Sequence, residues 1–423
     1  MSEHTYTKAE LIAVAASKKD ELISLVSQLI RIKSENPTGS QQEVISFVQN
    51  YLNAHHVSCK RVYTNPDFPC IVAEYGQKEG FSFLINGHVD VVPAGDLSAW
   101  DFDPYCGTVT DREILGRGTS DMKAGIACAL FTIGLISDLN LPINGNIRLH
   151  IVSDEESGGQ YGSEWLCRNG YADGADACLV AEPTGMDTIE IGQKGGLILT
   201  LKAQGTAAHG SLGNYKGDNA ILKLARILPM MEQLTTIKGH FTESQQEALE
   251  ASKKFASDLN GNIPGIENVI DHVTTNIGLI TGGTRPNCVP DSAEAVIDCR
   301  LPIGANRREI AVKVMQIINK SGIPGITADL DFKSDANYTE TDTMIVKAFK
   351  ENGEAILGHE IIPAYQWASS DAKHYRAAGI PTIQFGPSNA IGIHSANETV
   401  NIEDVAYTSR IYMAAVCDMM GIR

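Results

Sequence analysis

Residues 81–90 read Phe-Ser-Phe-Leu-Ile-Asn-Gly-His-Val-Asp, an apolar run that ends in a glycine, a histidine and an aspartate. A short apolar run closed by a turn residue predicts a strand buried on both faces. Runs of the same kind recur at Ile71–Ala73, Ile147–Val152, Cys178–Ala181 and Thr382–Phe385. Helical stretches lie between several of them, notably Met122–Leu139 and Tyr161–Arg168. Strands alternating with helices predict an α/β domain with a mixed, mostly parallel sheet.

The flanks of this pattern are helical. Thr7 and Glu10 have capping-box spacing, and Leu22, Val26, Leu29 and Ile30 continue at helical intervals. Asn36-Pro37 ends that segment, and a second capping box is expected at Ser40 and Glu43, before Val44, Phe47, Val48 and Tyr51. The middle of the chain has a different period. Leu197, Leu199, Leu201 and Ala203 alternate as in a half-exposed strand, and a helix is expected over Asn219–Met231. After a polar stretch from Glu243 to Asn262 come strands Val273–Ile280 and Ala293–Arg300, helix Arg307–Ile318 and strand Ile326–Phe332. Strand-helix-strand-strand-helix-strand is the order of a ferredoxin-like α+β unit. The expected division is a catalytic domain of residues 1–193 and 335–423, interrupted by an inserted domain of residues 194–334.

A net charge of −17 on 423 residues argues against nucleic acid or an anionic membrane surface as a partner. The first residues carry no basic segment leading into an apolar run, and no run of about 20 apolar residues is evident. The nine cysteines are scattered without a C-x-x-C pair, as in reduced thiols of a cytoplasmic protein.

The chemistry-bearing residues fall at five stations. His88 and Asp90 lie in L-I-N-G-H-V-D, Asp121 in G-R-G-T-S-D-M-K, and Glu155 and Glu156 in S-D-E-E-S-G-G. Glu182 lies in L-V-A-E-P-T and His394 in G-I-H-S-A-N-E. Most follow the carboxyl end of a predicted strand, the edge at which open α/β sheets bind ligands. Two imidazoles with three carboxylates suit a pair of zinc-type divalent ions. Such ions sit about 3.5–4 Å apart in two-metal hydrolases, so one carboxylate must bridge them. One of the adjacent glutamates is then free to act as general base.

The ordered stations resemble the metallopeptidase and deacylase family of acetylornithine deacetylase, succinyl-diaminopimelate desuccinylase, aminoacylase and glutamate carboxypeptidase. That resemblance implies a bridging Asp121, with His88 and Glu182 completing one site and Glu156 and His394 the other. It implies Glu155 as the base and Asp90 as the residue that orients His88. His209, in G-T-A-A-H-G-S, would stabilise the oxyanion, and the inserted domain would serve as lid and homodimer surface. Asn287 and Arg300 would hold a substrate carboxylate, with Arg285 and Ser369 as further contacts. The expected enzyme is thus a metal-dependent amidohydrolase holding two zinc ions, with cobalt or manganese as substitutes. Its expected reaction is deacylation of a small N-acyl amino acid. A dipeptidase or carboxypeptidase, an ammonia-releasing aminohydrolase, and a catalytically silent binding protein are the alternatives.

Overall fold

The computed structural model describes residues 6–213, 215–389 and 392–422. The chain forms two compact units, one of Met1–Ile191, Thr339–Ala364 and Ser370–Arg423, the other of Gly192–Tyr338 and Tyr365–Ser369. Against the expected 194–334, the second unit begins and ends a few residues further out and takes in Tyr365–Ser369.

In the first unit the central strands run in the order Gly145–Val152, Phe81–His88, Ala177–Val180, Thr382–Gln384, all mutually parallel. Antiparallel strands flank them: Cys70–Gly76 and Ser58–Val62 on one side, Thr188–Gln193 on the other. Seven of the eight residues of Phe81–His88 are buried, so the run is apolar throughout instead of alternating. The helix Ala124–Asp138 is buried from Ala124 to Ser137. Against the expectation of no such run, Thr119–Asp138, which includes the turn before the helix, is long and apolar enough to cross a bilayer by composition. Its window is 94% buried, the condition of a core helix. A small antiparallel sheet pairs Thr399–Asn401 with Glu113–Leu115, and so brings residue 398 beside the turn at 116–121.

Local signals explain where the helices start and stop. The Thr7–Glu10 capping box forms, with Thr7 N–H donating to Glu10 Oε2 at 2.8 Å. The helix that follows is broken once, at Lys18, into Lys8–Ser17 and Lys19–Ile30. The expected box at Ser40 and Glu43 does not form. At the start of the helix Gln42–Ala54, Ser40 Oγ accepts from Gln42 N–H at 3.3 Å and not from Glu43, while the cap residue Gln41 is buried and donates to the Ser34 and Glu35 carbonyls.

The second unit is a four-stranded antiparallel sheet in the order Thr274–Gly282, Ser292–Leu301, Gly195–Gln204, Ile326–Ser334. Alternate residues of its two central strands, such as Leu199 and Ile297, are buried with Leu224 and Val314 of helices Ala220–Ile227 and Arg307–Ser321. The expected helix over Asn219–Met231 keeps its cap, Asn219 Oδ1 accepting from Leu222 N–H at 3.1 Å, but not its length. Pro229 has no N–H to continue the ladder, and the chain tightens into a 3-10 segment over Leu228–Thr236. The polar stretch near Glu243 holds the helix Gln246–Leu259, which buries Ala248, Ser252 and Ala256 at intervals of four.

Candidate metal centre

His88 is the last residue of its strand and only 1% exposed. Its Nδ1 lies 2.8 Å from the Asp90 main-chain carbonyl, which takes the ring N–H and leaves Nε2 with a lone pair. The Asp90 carboxylate, expected to do that work, stands 3.5 Å from Nδ1. It accepts instead from Asn36 Nδ2 at 2.8 Å and from the Glu156 main-chain N–H at 3.1 Å. Asp90 therefore links two stations: its carbonyl orients one imidazole and its carboxylate holds the turn that carries the glutamates.

Asp121 is not the helix cap that its position suggests. Its backbone is non-helical (φ −117°, ψ 99°), and the regular helix begins only at Ala124. That conformation turns the carboxylate toward both histidines, with Oδ1 at 3.1 Å from His88 Nε2 and Oδ2 at 3.0 Å from His394 Nε2. Glu182 lies past the strand Ala177–Val180, its Oε1 3.9 Å from His88 Nε2. Glu156 Oε1 is 3.3 Å from His394 Nε2. Two ligand groups result, His88 with Asp121 and Glu182, and Asp121 with Glu156 and His394. Within each, one donor atom per residue lies within 4.8 Å of the others, and Asp121 alone is common to both. All five candidate ligand residues belong to the first unit.

The electrostatics explain what such a set wants. Burial pushes Glu182 well above the usual carboxylate range, and the Asp121 charge adds to it. Burial would raise Asp121 too, but the two imidazoles hold it below that range. The same carboxylates drive protons onto the rings. Asp121 and Glu156 push His394 up to about 10, and Asp121 and Asp90 raise His88 against the effect of its burial. A divalent cation satisfies these carboxylates and uses the imidazole lone pairs directly, so the donor set fits metal of zinc type. Glu155 stands outside both groups; burial and the nearby Asp371 and Glu156 charges push it up to about 8.

One residue of the centre escaped the sequence reading. Glu398 is fully buried and accepts from Arg117 Nη1 at 2.6 Å and from the N–H groups of Gly118, Ser120 and Asp121 at 3.1, 2.9 and 3.1 Å. It shapes the turn that presents Asp121. Its signal was there, four residues past His394 in H-S-A-N-E.

The remaining candidates lie in the second unit. His209 is exposed, its Nδ1 2.7 Å from Ser211 Oγ, and its backbone bridges to Cys288. Gly210 N–H donates to the Asn287 carbonyl at 2.7 Å, which keeps the His209 and Asn287 segments together. Arg300 sits on the sheet face away from the helices, its Nε on Asp298 Oδ2 at 3.0 Å. Arg285 is exposed in the loop before Cys288, and Ser369 accepts from Gln193 Nε2 at 3.0 Å.

Comparison with known proteins places the chain in a family. The pattern of peptidase family M20/M25/M40 matches residues 84–418, from the strand of His88 to the C-terminal helix. A probable succinyl-diaminopimelate desuccinylase of Staphylococcus aureus is 26% identical over 393 residues, 90% of this chain and 96% of that protein. A metallo-carboxypeptidase of the M20 family from Sulfolobus solfataricus superposes with a TM-score of 0.77 at 20% identity, over 94% of this chain and 99% of that one. Human carnosine dipeptidase 1 superposes with a TM-score of 0.76 at 16% identity, over 98% and 99%. The chain belongs to peptidase family M20/M25/M40 and is a metal-dependent hydrolase of amide bonds other than those of ordinary protein chains.

Proposed function

We propose that the protein deacylates a small N-acyl amino acid, with two zinc ions held by His88, Asp121, Glu156, Glu182 and His394. The observation that carries this reading is the sharing of Asp121 between two ligand groups, with Glu155 beside them and outside both. The ions, when bound, acidify a water and polarise the substrate carbonyl. Glu155 takes the proton of the attacking water and hands it to the departing amine, a cycle suited to a carboxyl whose proton affinity burial has raised. Asp90 and Glu398 hold the two turns that present the ligands.

The second unit supplies recognition in this proposal. His209 stabilises the oxyanion, and Asn287 and Arg300, assisted by Arg285 and Ser369, hold the substrate's carboxylate. The desuccinylase names among relatives about 26% identical support an acyl group that is itself a carboxylic acid. We place the enzyme in the cytoplasm as a homodimer joined through this unit. The edge strand Thr274–Gly282 supports that partner, since Ile277, Leu279 and Ile280 are 45%, 65% and 54% exposed on it.

The test is a metal count on purified protein together with a panel of N-acetyl and N-succinyl amino acids and dipeptides. Two ions per chain and release of a free carboxylic acid are expected. Turnover of dipeptides alone transfers the protein to the dipeptidase reading, and an absence of bound metal removes both. Sedimentation of wild type and Leu279→Lys tests the dimer.

A further inference from the structure

Behind the turn that carries Glu155 and Glu156 lies a polar chain buried in the first unit. Asn86, Ser163 and Asp371 form it, each at most 1% exposed, with Tyr375 and His150 beyond. Ser163 Oγ donates to Asp371 Oδ2 at 2.7 Å and accepts from Asn86 Nδ2 at 3.0 Å. The Tyr375 hydroxyl reaches Ser163 Oγ at 3.4 Å and His150 Nδ1 at 3.1 Å.

Burying a carboxylate costs several kcal/mol unless its surroundings repay it, so an aspartate in this position is a poor choice for stability alone. Its second oxygen, Oδ1, has no hydrogen-bond partner. What it has is a neighbour without a side chain. A Cβ on Gly159 would lie 2.6 Å from Asp371 Oδ1 and 3.4 Å from His374 Nε2, and Gly159 has φ +74°. The Glu155–Gly159 turn is therefore seated directly on the carboxylate. Four residues on, at Ser163, the same carboxylate receives the hydroxyl that opens the next helix. Asn86 ties that hydroxyl to the strand ending in His88. One buried side chain thus meets the chain that follows the proposed base at two points, Gly159 and Ser163, and Ser163 joins it to the strand of a proposed ligand.

We propose that Asp371 is a positioning residue, which seats the turn over residues 155–162 and so fixes where Glu155 stands during the reaction. The proposal rests on the role given to Glu155 above. Among the described residues no hydrogen bond or ion pair joins the Asp371 carboxylate to a proposed ligand.

The test uses the metal-loaded full chain as wild type, Asp371→Ala, Asp371→Asn and Ser163→Ala. Three quantities are read: kcat and KM on the substrate found in the panel above, bound metal per chain, and amide hydrogen exchange over residues 155–162. Asp371→Ala is expected to lose about a hundredfold in kcat, the scale of a misplaced catalytic group, with KM and metal content near wild type. Its turn should exchange faster. Asp371→Asn keeps an oxygen for the Ser163 hydroxyl and should recover most of the lost rate. If Asp371→Ala fails to fold, Ser163→Ala removes the same bond with little change of volume, and decides alone. Wild-type kcat in the folded variant, or unchanged exchange over 155–162, overturns the proposal. So does an equal fall in metal content and kcat, which marks a merely structural role. Faster exchange in a protein whose wild type cleaves nothing on the panel preserves the seat and defeats the functional reading instead.

Discussion

The two histidines of the centre are held in opposite ways. His88 ends a buried strand, is 1% exposed, and has its ring fixed by the Asp90 carbonyl. His394 lies in a loop at φ +61°, its side chain is 50% exposed, and among the described residues no hydrogen bond engages its Nδ1. Both reach the same carboxylate at nearly the same distance, 3.1 and 3.0 Å. Equal geometry with unequal support implies unequal ligands. If the proposed ions bind, the His88 side is the better preorganised of the two, its ring already fixed by a main-chain carbonyl.

The sharpest test of this contrast is the residue the two sides share. Asp121→Ala should empty both sites and lower kcat/KM by more than about a thousandfold, since both ions' charge stabilisation goes with it. Metal analysis showing one retained ion would mean that the sides do not depend on Asp121 alike. Next in size is Glu398→Ala, which leaves Arg117 buried without its carboxylate. We expect a loss of about 3–5 kcal/mol in unfolding free energy, read by denaturant titration, because an uncompensated buried charge remains. An unchanged midpoint would remove the organising role of Glu398.

The direct comparison is His88→Ala against His394→Ala. The His394 variant should keep one ion and the His88 variant should bind both more weakly, because losing the anchored side also frees Asp121. Equal stoichiometry in the two variants would erase the distinction. A smaller effect is expected at Asp90→Asn, where an amide replaces the carboxylate that holds the Glu156 turn: about 10–100-fold in metal affinity, by competition with a chelator.

The smallest effect is a pH slope away from the metals. His150 is buried and held down to about 3 by its burial, so it stays neutral in the native state. The unfolded chain takes up that proton near pH 6.5, whereas the native chain does not until near pH 3. Stability is therefore undiminished above pH 6.5 and falls as the pH drops, by at most about 1.4 kcal/mol per unit for this group. His150→Gln should flatten the slope of unfolding free energy between pH 6 and 5. A slope identical to wild type would reassign it to other groups.

The same contrast explains what could be read from sequence. His88, Glu156 and Glu182 were legible because each follows an apolar run, and parallel strands deliver their carboxyl ends to one edge. The ferredoxin-like order of the second unit was legible for a similar reason, since alternation in Leu197–Ala203 fixes which face is buried. What stayed hidden acts through main-chain groups or through contacts distant in sequence. Glu398 binds three N–H groups more than 270 residues away, and no side-chain pattern announces an N–H acceptor. Asp371 was overlooked beside Ser369 because its meaning depends on the absence of a side chain at Gly159. The Ser40 box failed because Gln41 found buried carbonyls, a tertiary preference that overrides a local one.

The bond from Glu398 to the turn at Arg117 has a consequence for how the protein is made. His88, Asp121 and Glu182 leave the ribosome long before residue 398, yet the Asp121 turn lacks its carboxylate until that late segment arrives. The turn that carries Asp121 is thus completed only when the last part of the chain is made, and chains that stop short of Glu398 leave Arg117 without its carboxylate.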